Sequence, residues 1–74
     1  MKYYVNLKSV EDAAGLVKTV SKYDCDVELV SGRFHVDAKS IIGVLGVALG
    51  RHSILLIHDS PDKICTDDLR EYIA

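Results

Sequence analysis

The strongest constraint on the fold is a run of four consecutive apolar residues, Ile54-Leu55-Leu56-Ile57. A strand with no polar side chains to turn toward water belongs inside a sheet, so residues 53–58 are predicted to form a central strand. The chain has 74 residues, enough for one small hydrophobic core, and residues 1–74 are therefore predicted to form a single domain. Nearly half of the residues are apolar and 27% are charged, which is the balance of a folded globular protein.

Three further strands are predicted from apolar and polar residues that alternate along the chain. They lie at residues 3–8, 25–30 and 33–36, and the last two form a hairpin in which Gly32 supplies the positive φ of the turn. The predicted inner faces of these strands carry Tyr3, Val5, Leu7, Val27, Leu29, Phe34 and Val36.

A first helix is predicted to begin after Ser9 and to run to about residue 23. Ser9 is followed three residues later by Asp12, a variant of the capping box that opens helices. Gly15 weakens this helix by about 1 kcal/mol relative to alanine, so tertiary packing must stabilise it. Its predicted core face carries Ala13, Leu16, Val17 and Val20.

Two more helices are predicted from capping signals. Ser40 can cap a short helix at residues 41–49, and Gly50 follows it where a left-handed residue belongs. Ser60 as cap and Pro61 at the first helical position predict a last helix. Its predicted apolar stripe is Ile64 or Cys65, Leu69, Tyr72 and Ile73.

The resulting order is βαββαβα. A hairpin in the middle of alternating strands and helices is typical of an α+β open-faced β-sandwich, in which a mostly antiparallel sheet carries its helices on one face.

Composition excludes several functions. With 9 basic and 11 acidic residues the net charge is −2, so nucleic acid is not an expected partner. The longest apolar run, residues 41–49, is about half of what a bilayer requires, and no membrane association is expected. The amino terminus lacks the apolar core of a signal peptide, which predicts a cytoplasmic protein.

No metal, cofactor or reactive thiol is predicted. Cys25 and Cys65 are forty residues apart, without the spacing of a zinc site or a disulfide framework, and are interpreted as small buried apolar residues. His58, Asp59 and Asp62 are the nearest approach to a metal cluster, but acids in short loops are more often turn and cap residues.

Residues 26–32, followed by Ala38-Lys39-Ser40 and the apolar helix to residue 49, resemble a known family. The family is HPr, the small histidine-containing phosphocarrier proteins of the bacterial sugar phosphotransferase system. The resemblance covers nearly the whole chain. It implies a four-stranded antiparallel sheet covered on one side by three helices.

The resemblance also implies where the active site would lie. The family carries a Gly-Leu-His-Thr/Ala-Arg-Pro-Ala segment at the start of its first helix. Aligning its last residues with Ala13-Ala14 puts Ser9 at the position of the phosphorylated histidine. Glu11 then stands in place of the arginine and Asp12 in place of the proline. A serine ester would retain the phosphoryl group rather than pass it on, and Glu11 would repel it. No catalytic residue is therefore predicted.

We therefore interpret the chain as a non-catalytic HPr-like protein-binding or regulatory module. The resemblance implies a partner surface that combines the start of the first helix with the short helix. Its predicted residues are Ser9, Ala14, Ile41, Ile42 and Leu45. Ser40 matches the family's regulatory serine, which a dedicated kinase phosphorylates, although helix capping alone explains a serine there.

Two alternatives remain open at this stage. One is a working phosphocarrier of the phosphoenolpyruvate-dependent system that uses another histidine, His35, His52 or His58. The other is a structural subunit, a monomer or weak homodimer, that pairs through the open face of the sheet. That face would carry Tyr4 with either Ile54 and Leu56 or Leu55 and Ile57.

Overall fold

The computed structural model describes residues 1–58 and 67–73 of the chain. Its strands are β1 (Lys2–Asn6), β2 (Val27–Ser31), β3 (Phe34–Asp37) and β4 (His52–Ile57). Its helices are α1 (Val10–Val20), α2 (Ile41–Val47) and a C-terminal 3₁₀ helix (Asp67–Tyr72).

The four strands form one antiparallel sheet in the order β1-β4-β2-β3. β4 lies inside this sheet, where Leu55 pairs with Tyr3 of β1 on one side and with Leu29 of β2 on the other. The prediction of a central last strand is therefore confirmed. The α+β open-faced β-sandwich is confirmed as well, with the helices on one face of the sheet.

The structure decides which half of β4 faces the helices. Ser53, Leu55 and Ile57 are buried on the helix side, whereas Ile54 and Leu56 are half-buried on the opposite face. The core between sheet and helices consists of Val5, Leu7, Ala13, Leu16, Val20, Val27, Leu29, Ala38, Val44, Ala48, Leu55, Ile57, Leu69 and Tyr72.

Both α-helices end earlier than predicted. α1 ends at Val20 rather than near residue 23, because the amides of Lys22 and Tyr23 donate to carbonyls three residues back, at Thr19 and Val20, instead of four. α2 ends at Val47 rather than residue 49. There the chain turns through Gly50, whose φ of 75° is left-handed as predicted.

The predicted hairpin turn is confirmed, but the prediction that Phe34 is buried is wrong. Gly32 has a φ of 60° and leads the two-residue loop between β2 and β3. Phe34, predicted to be buried, is 50% exposed. It opens the edge strand of the sheet, so neighbouring side chains cover it from one side only.

The last helix differs from its prediction. The predicted start at Ser60 and Pro61 lies outside the described residues. Leu69 and Tyr72 are buried as expected, but they belong to a 3₁₀ helix, and Ile73 is partly exposed. Within the described part of the chain, no helix is long and apolar enough to cross a membrane.

The 3₁₀ helix is held against α1 by a contact between Tyr72 and Gly15. A Cβ atom built on Gly15 would overlap the Tyr72 hydroxyl oxygen and lie 3.2 Å from Cζ of the same ring. The glycine that weakens α1 therefore provides the space into which Tyr72 packs.

We expect Gly15→Ala to lower the melting temperature, although alanine favours a helix by about 1 kcal/mol, because the new methyl group displaces Tyr72. Adding Tyr72→Phe, which removes the overlapping oxygen, should recover part of that loss. Gly46→Ala in α2 is the matched control, because a Cβ there meets no atom within 4 Å. Thermal unfolding followed by circular dichroism measures all three, and a Gly15→Ala variant that is more stable than the parent would contradict the packing argument.

Alkaline pH should act on the same contact. Burial, reinforced by a hydrogen bond to Glu71, raises the pKa of Tyr72 from 10.0 to about 12. The stability that depends on the neutral phenol is therefore fully present below pH 10 and is lost as the pH rises through about 12. Relative to Tyr72→Phe, the parent should lose about 2–3 kcal/mol of unfolding free energy across that range. Urea unfolding of both proteins at several pH values measures the difference, which should stay constant if Tyr72 ionises freely.

Candidate functional site

At the start of α1, side chains of the helix end itself accept hydrogen bonds from nearby backbone amides. Ser9 has extended backbone angles, φ −141° and ψ 166°, and its hydroxyl accepts a hydrogen bond from the Asp12 amide at 3.1 Å. The Asp12 carboxylate in turn accepts from the amide of Lys8 at 3.2 Å. The predicted cap is confirmed, and its acid satisfies the amide just outside the helix.

This helix end carries two negative charges. Glu11 is exposed and Asp12 is half-buried, both in the first turn, where carboxylates complement the positive end of the helix dipole. A phosphoryl dianion brought to Ser9 would meet both carboxylates within one turn. The arrangement stabilises the helix and is unfavourable for binding phosphate.

The three histidines lie on or beside the sheet, and none is part of α1. His35 is in β3, His52 opens β4 and His58 follows β4. His35 Nδ1 lies 2.7 Å from Glu28 Oε1, and His58 Nε2 lies 3.7 Å from Glu28 Oε2. The hydrogen bond to His35 is the main reason why the pKa of Glu28 is lowered.

α1 and α2 run antiparallel, as contacts at their two ends show. Gly50, just after α2, donates its amide to the carbonyl of Leu7, just before α1, at 2.7 Å. At the other end, Lys39 Nζ donates to the Tyr23 carbonyl at 2.7 Å. Ser9 therefore lies beside the end of α2.

The predicted partner residues lie on α1, on α2 and at the residue that caps α1, and the two helices pack against each other. The flank of α1 with Gly15 and Thr19 faces the 3₁₀ helix. Val10, Ala14 and Val17 follow one another at spacings of four and three on the opposite flank, toward α2. On α2, Ile41 and Leu45 are half-buried against the core.

Three apolar residues on or beside these two helices stay exposed. Ile42 is 82% exposed on the outer side of α2, Val10 is 54% exposed at the start of α1, and Leu49 is 37% exposed beyond α2. Sequence analysis named Ile42 but missed the other two. Val10 could have been found by its helical spacing with Ala14, whereas Leu49 lies outside the helix and follows no periodicity. Together these residues form what we call the α1–α2 surface, namely Ser9, Val10, Ala14, Ile41, Ile42, Leu45 and Leu49.

Ser40 lies at the far end of the helix pair from Ser9. It is exposed, and its hydroxyl accepts from the Gly43 amide at 3.4 Å, so it caps α2 as predicted. Its regulatory modification stays a prediction.

The other sequence candidates add no site. Within residues 1–58 and 67–73, no three His, Cys, Asp or Glu side chains are grouped to hold a metal ion. Asp59, Asp62 and Cys65 lie outside the described residues. Cys25 was predicted to be buried, but it is only half-buried beside the core.

Comparison with known proteins finds a family model and a similar protein. The family model described as the PTS HPr component phosphorylation site matches residues 8–74. The phosphocarrier protein HPr of Treponema pallidum (strain Nichols) is 40% identical over 53 residues, which is 70% of this chain. The match spans 60% of the length of that relative.

Solved structures share the fold at low sequence identity. The chain is similar to phosphocarrier protein HPr from Bacillus anthracis str. Ames, with a TM-score of 0.69 and 19% identity over 100% of this chain and 96% of that one. It is similar to HPr-C-His from Thermoanaerobacter tengcongensis, with a TM-score of 0.67 and 23% identity over 95% of this chain and 83% of that one.

The cap at the start of α1 gives a direct test of the site geometry. Ser9→Ala removes the acceptor of the Asp12 amide and should cost about 1 kcal/mol of unfolding free energy. Ser9→Asp keeps an acceptor at the same place and should cost less. Urea unfolding compares both variants with the parent, and a Ser9→Ala variant as stable as the parent would mean that the Ser9 hydroxyl contributes nothing to the cap.

Proposed function

Because the chain belongs to the PTS-HPr family, we propose that it is a non-catalytic protein-binding module that acts with proteins of the phosphotransferase system. In this proposal Ser9 occupies the place of the phosphorylated histidine, and the chain contacts its partners through the α1–α2 surface. It neither accepts nor donates a phosphoryl group.

The main support for the proposal is the start of α1, where side chains already occupy the amides and two carboxylates add negative charge. Phosphoryl transfer to nitrogen needs an imidazole near free helix amides and a cationic neighbour that balances the dianion. Here the Ser9 hydroxyl and the Asp12 carboxylate already accept from nearby amides, and Glu11 adds a second negative charge. These features oppose a phosphoryl group at this position.

The exposed apolar residues support protein binding. An isoleucine that is 82% exposed, with Val10 and Leu49 also exposed on or beside the same pair of helices, offers the apolar contact area that docking surfaces use. The carboxylates of Glu11 and Asp12 lie at one end of it. The expected partner therefore presents an apolar patch next to a basic group.

A working phosphocarrier on another histidine is the second candidate, and it rests on family membership. The surroundings of His35 do not favour it. His35 is already hydrogen-bonded to Glu28, and the acids Asp26 and Asp37 lie in the same groove. A phosphoryl group on His35 would be repelled by these carboxylates.

Phosphorylation of Ser40 remains a proposal of its own. Its hydroxyl is exposed and bonded only weakly to the Gly43 amide, so a kinase can reach it without unfolding α2. Mass spectrometry after incubation with the family's serine kinase and ATP tests it.

We expect the first enzyme of the phosphotransferase system, with phosphoenolpyruvate, to leave the parent chain unphosphorylated. A variant that combines Ser9→His with Glu11→Arg restores the two functional side chains and should gain an acid-labile phosphate, which validates the assay. Mass spectrometry at neutral and acid pH measures how much phosphate each protein carries and whether acid removes it. One acid-labile phosphate on the parent would establish the phosphocarrier function instead.

Binding is tested separately by NMR titration of the isotope-labelled chain with the same enzyme. We expect shifts at Val10, Ala14 and Leu45, and a loss of these shifts in Ile42→Lys. Tyr4→Lys, on the other face of the sheet, is the control and should bind like the parent. Shifts confined to the sheet face, or Ile42→Lys binding unchanged, would contradict the proposed surface.

A further inference from the structure

The face of the sheet that points away from the helices has an ordered arrangement of side chains. Strand pairing places Lys2, Leu56, Glu28 and Asp37 in one row across β1, β4, β2 and β3. The same pairing places Tyr4, Ile54, Val30 and His35 in the next row. Opposed residues of antiparallel strands lie on the same side, so both rows belong to this face. We call it the open face.

Positive and negative charges lie on opposite sides of the open face, separated in the direction that crosses the strands. Its positive side is β1, where Lys2 Nζ stands 5.6 Å from the centre of the Tyr4 ring. Its negative side is β2 and β3, with Glu28 and Asp37. Between them lie apolar side chains of the two central strands, Ile54, Leu56 and Val30.

We propose that the open face binds the open face of a second copy of this chain, around a twofold axis that runs parallel to the strands between β4 and β2. A rotation about this axis reverses the order of the strands across the face and keeps each row of residues at the same height. It therefore lays β1 of one copy over β3 of the other, and β4 over β2. This interface is isologous, so each contact occurs twice.

Charge complementarity selects this arrangement. Lys2 of each copy comes opposite Asp37 of the other, because both residues belong to the same row. Ile54 likewise comes opposite Val30, and Tyr4 opposite His35. A twofold axis at right angles to the strands would instead lay β1 over β1 and β3 over β3, bringing acids toward acids and lysine toward lysine.

The carboxylate of Glu28 does not prevent this packing. It comes opposite Leu56 of the second copy, where an uncompensated charge would be costly. It already accepts a hydrogen bond from His35 at 2.7 Å and lies 3.7 Å from His58, so its partners remain when the face is covered.

The size of the face predicts a weak dimer. Four strands about 4.8 Å apart and about five residues long cover only a few hundred Å². This is below the roughly 800 Å² per partner of a stable interface. We therefore expect a dissociation constant on the order of 100 μM or weaker.

A concentration series tests the location of the interface. Sedimentation velocity and NMR diffusion of the full chain should show a monomer that dimerises as its concentration rises. Ile54→Lys places a charge at the centre of the open face and should abolish the dimer. Ile42→Lys makes the same change on the outer side of α2 and should leave the dimer intact. A parent chain that stays monomeric at millimolar concentration would overturn the proposal, as would a dimer that survives Ile54→Lys.

A charge exchange tests the direction of the axis. Lys2→Asp and Asp37→Lys should each lose the homodimer, because every Lys2–Asp37 contact then joins like charges. An equimolar mixture of the two variants should regain it, since both contacts are again between opposite charges. Failure of the mixture to associate, with both variants folded by NMR, would overturn the proposed axis.

A further pair of variants covers the case in which Asp37→Lys does not fold, because Asp37 Oδ1 accepts from the Lys39 amide at 2.9 Å. Lys2→Asp should then weaken the dimer at least tenfold relative to Lys22→Asp. Lys22→Asp changes the net charge by the same amount as Lys2→Asp, but at an exposed position outside the sheet. Equal dissociation constants for the two would overturn the charge pairing.

Discussion

The burial of β4 between β1 and β2 is the constraint on which the rest of the structure depends. Leu55 is fully buried at the centre of the sheet, and its neighbours Tyr3 and Leu29 come from strands that no short loop connects. With the inner half of β4 fixed, α1, α2 and the 3₁₀ helix cover that side. The outer half, with Ile54 and Leu56, defines the open face. Both proposed surfaces follow from this division.

The two surfaces differ in how their charges are arranged. At the start of α1, Glu11 and Asp12 place two negative charges beside the α1–α2 surface, which suits a partner that presents a basic group there. On the open face the signs are separated across the strands, with Lys2 at one side and Asp37 at the other, which makes the face complementary to itself. In these two proposals the chain carries one surface for a different protein and one for its own copy.

Much of the fold could be predicted because its signals are local. The apolar run of β4, the cap at Ser9 and the turn glycine Gly32 each determine their element through neighbouring residues. The helix ends were missed because they depend on which carbonyl each amide reaches, as where the amides of Lys22 and Tyr23 donate three residues back instead of four. The exposure of Val10 and Leu49 depends on how α1 and α2 pack, which no local pattern records.

The sheet order has a consequence for synthesis on the ribosome. β1 is made first but pairs with β4, near the other end of the chain, whereas the hairpin of β2 and β3 can form as soon as it emerges. Pairing between distant segments is slow, because loop closure precedes the gain from contact. β1 therefore stays unpaired, with Val5 uncovered, until β4 has been translated. Nascent chains shorter than this should be the ones that need a chaperone.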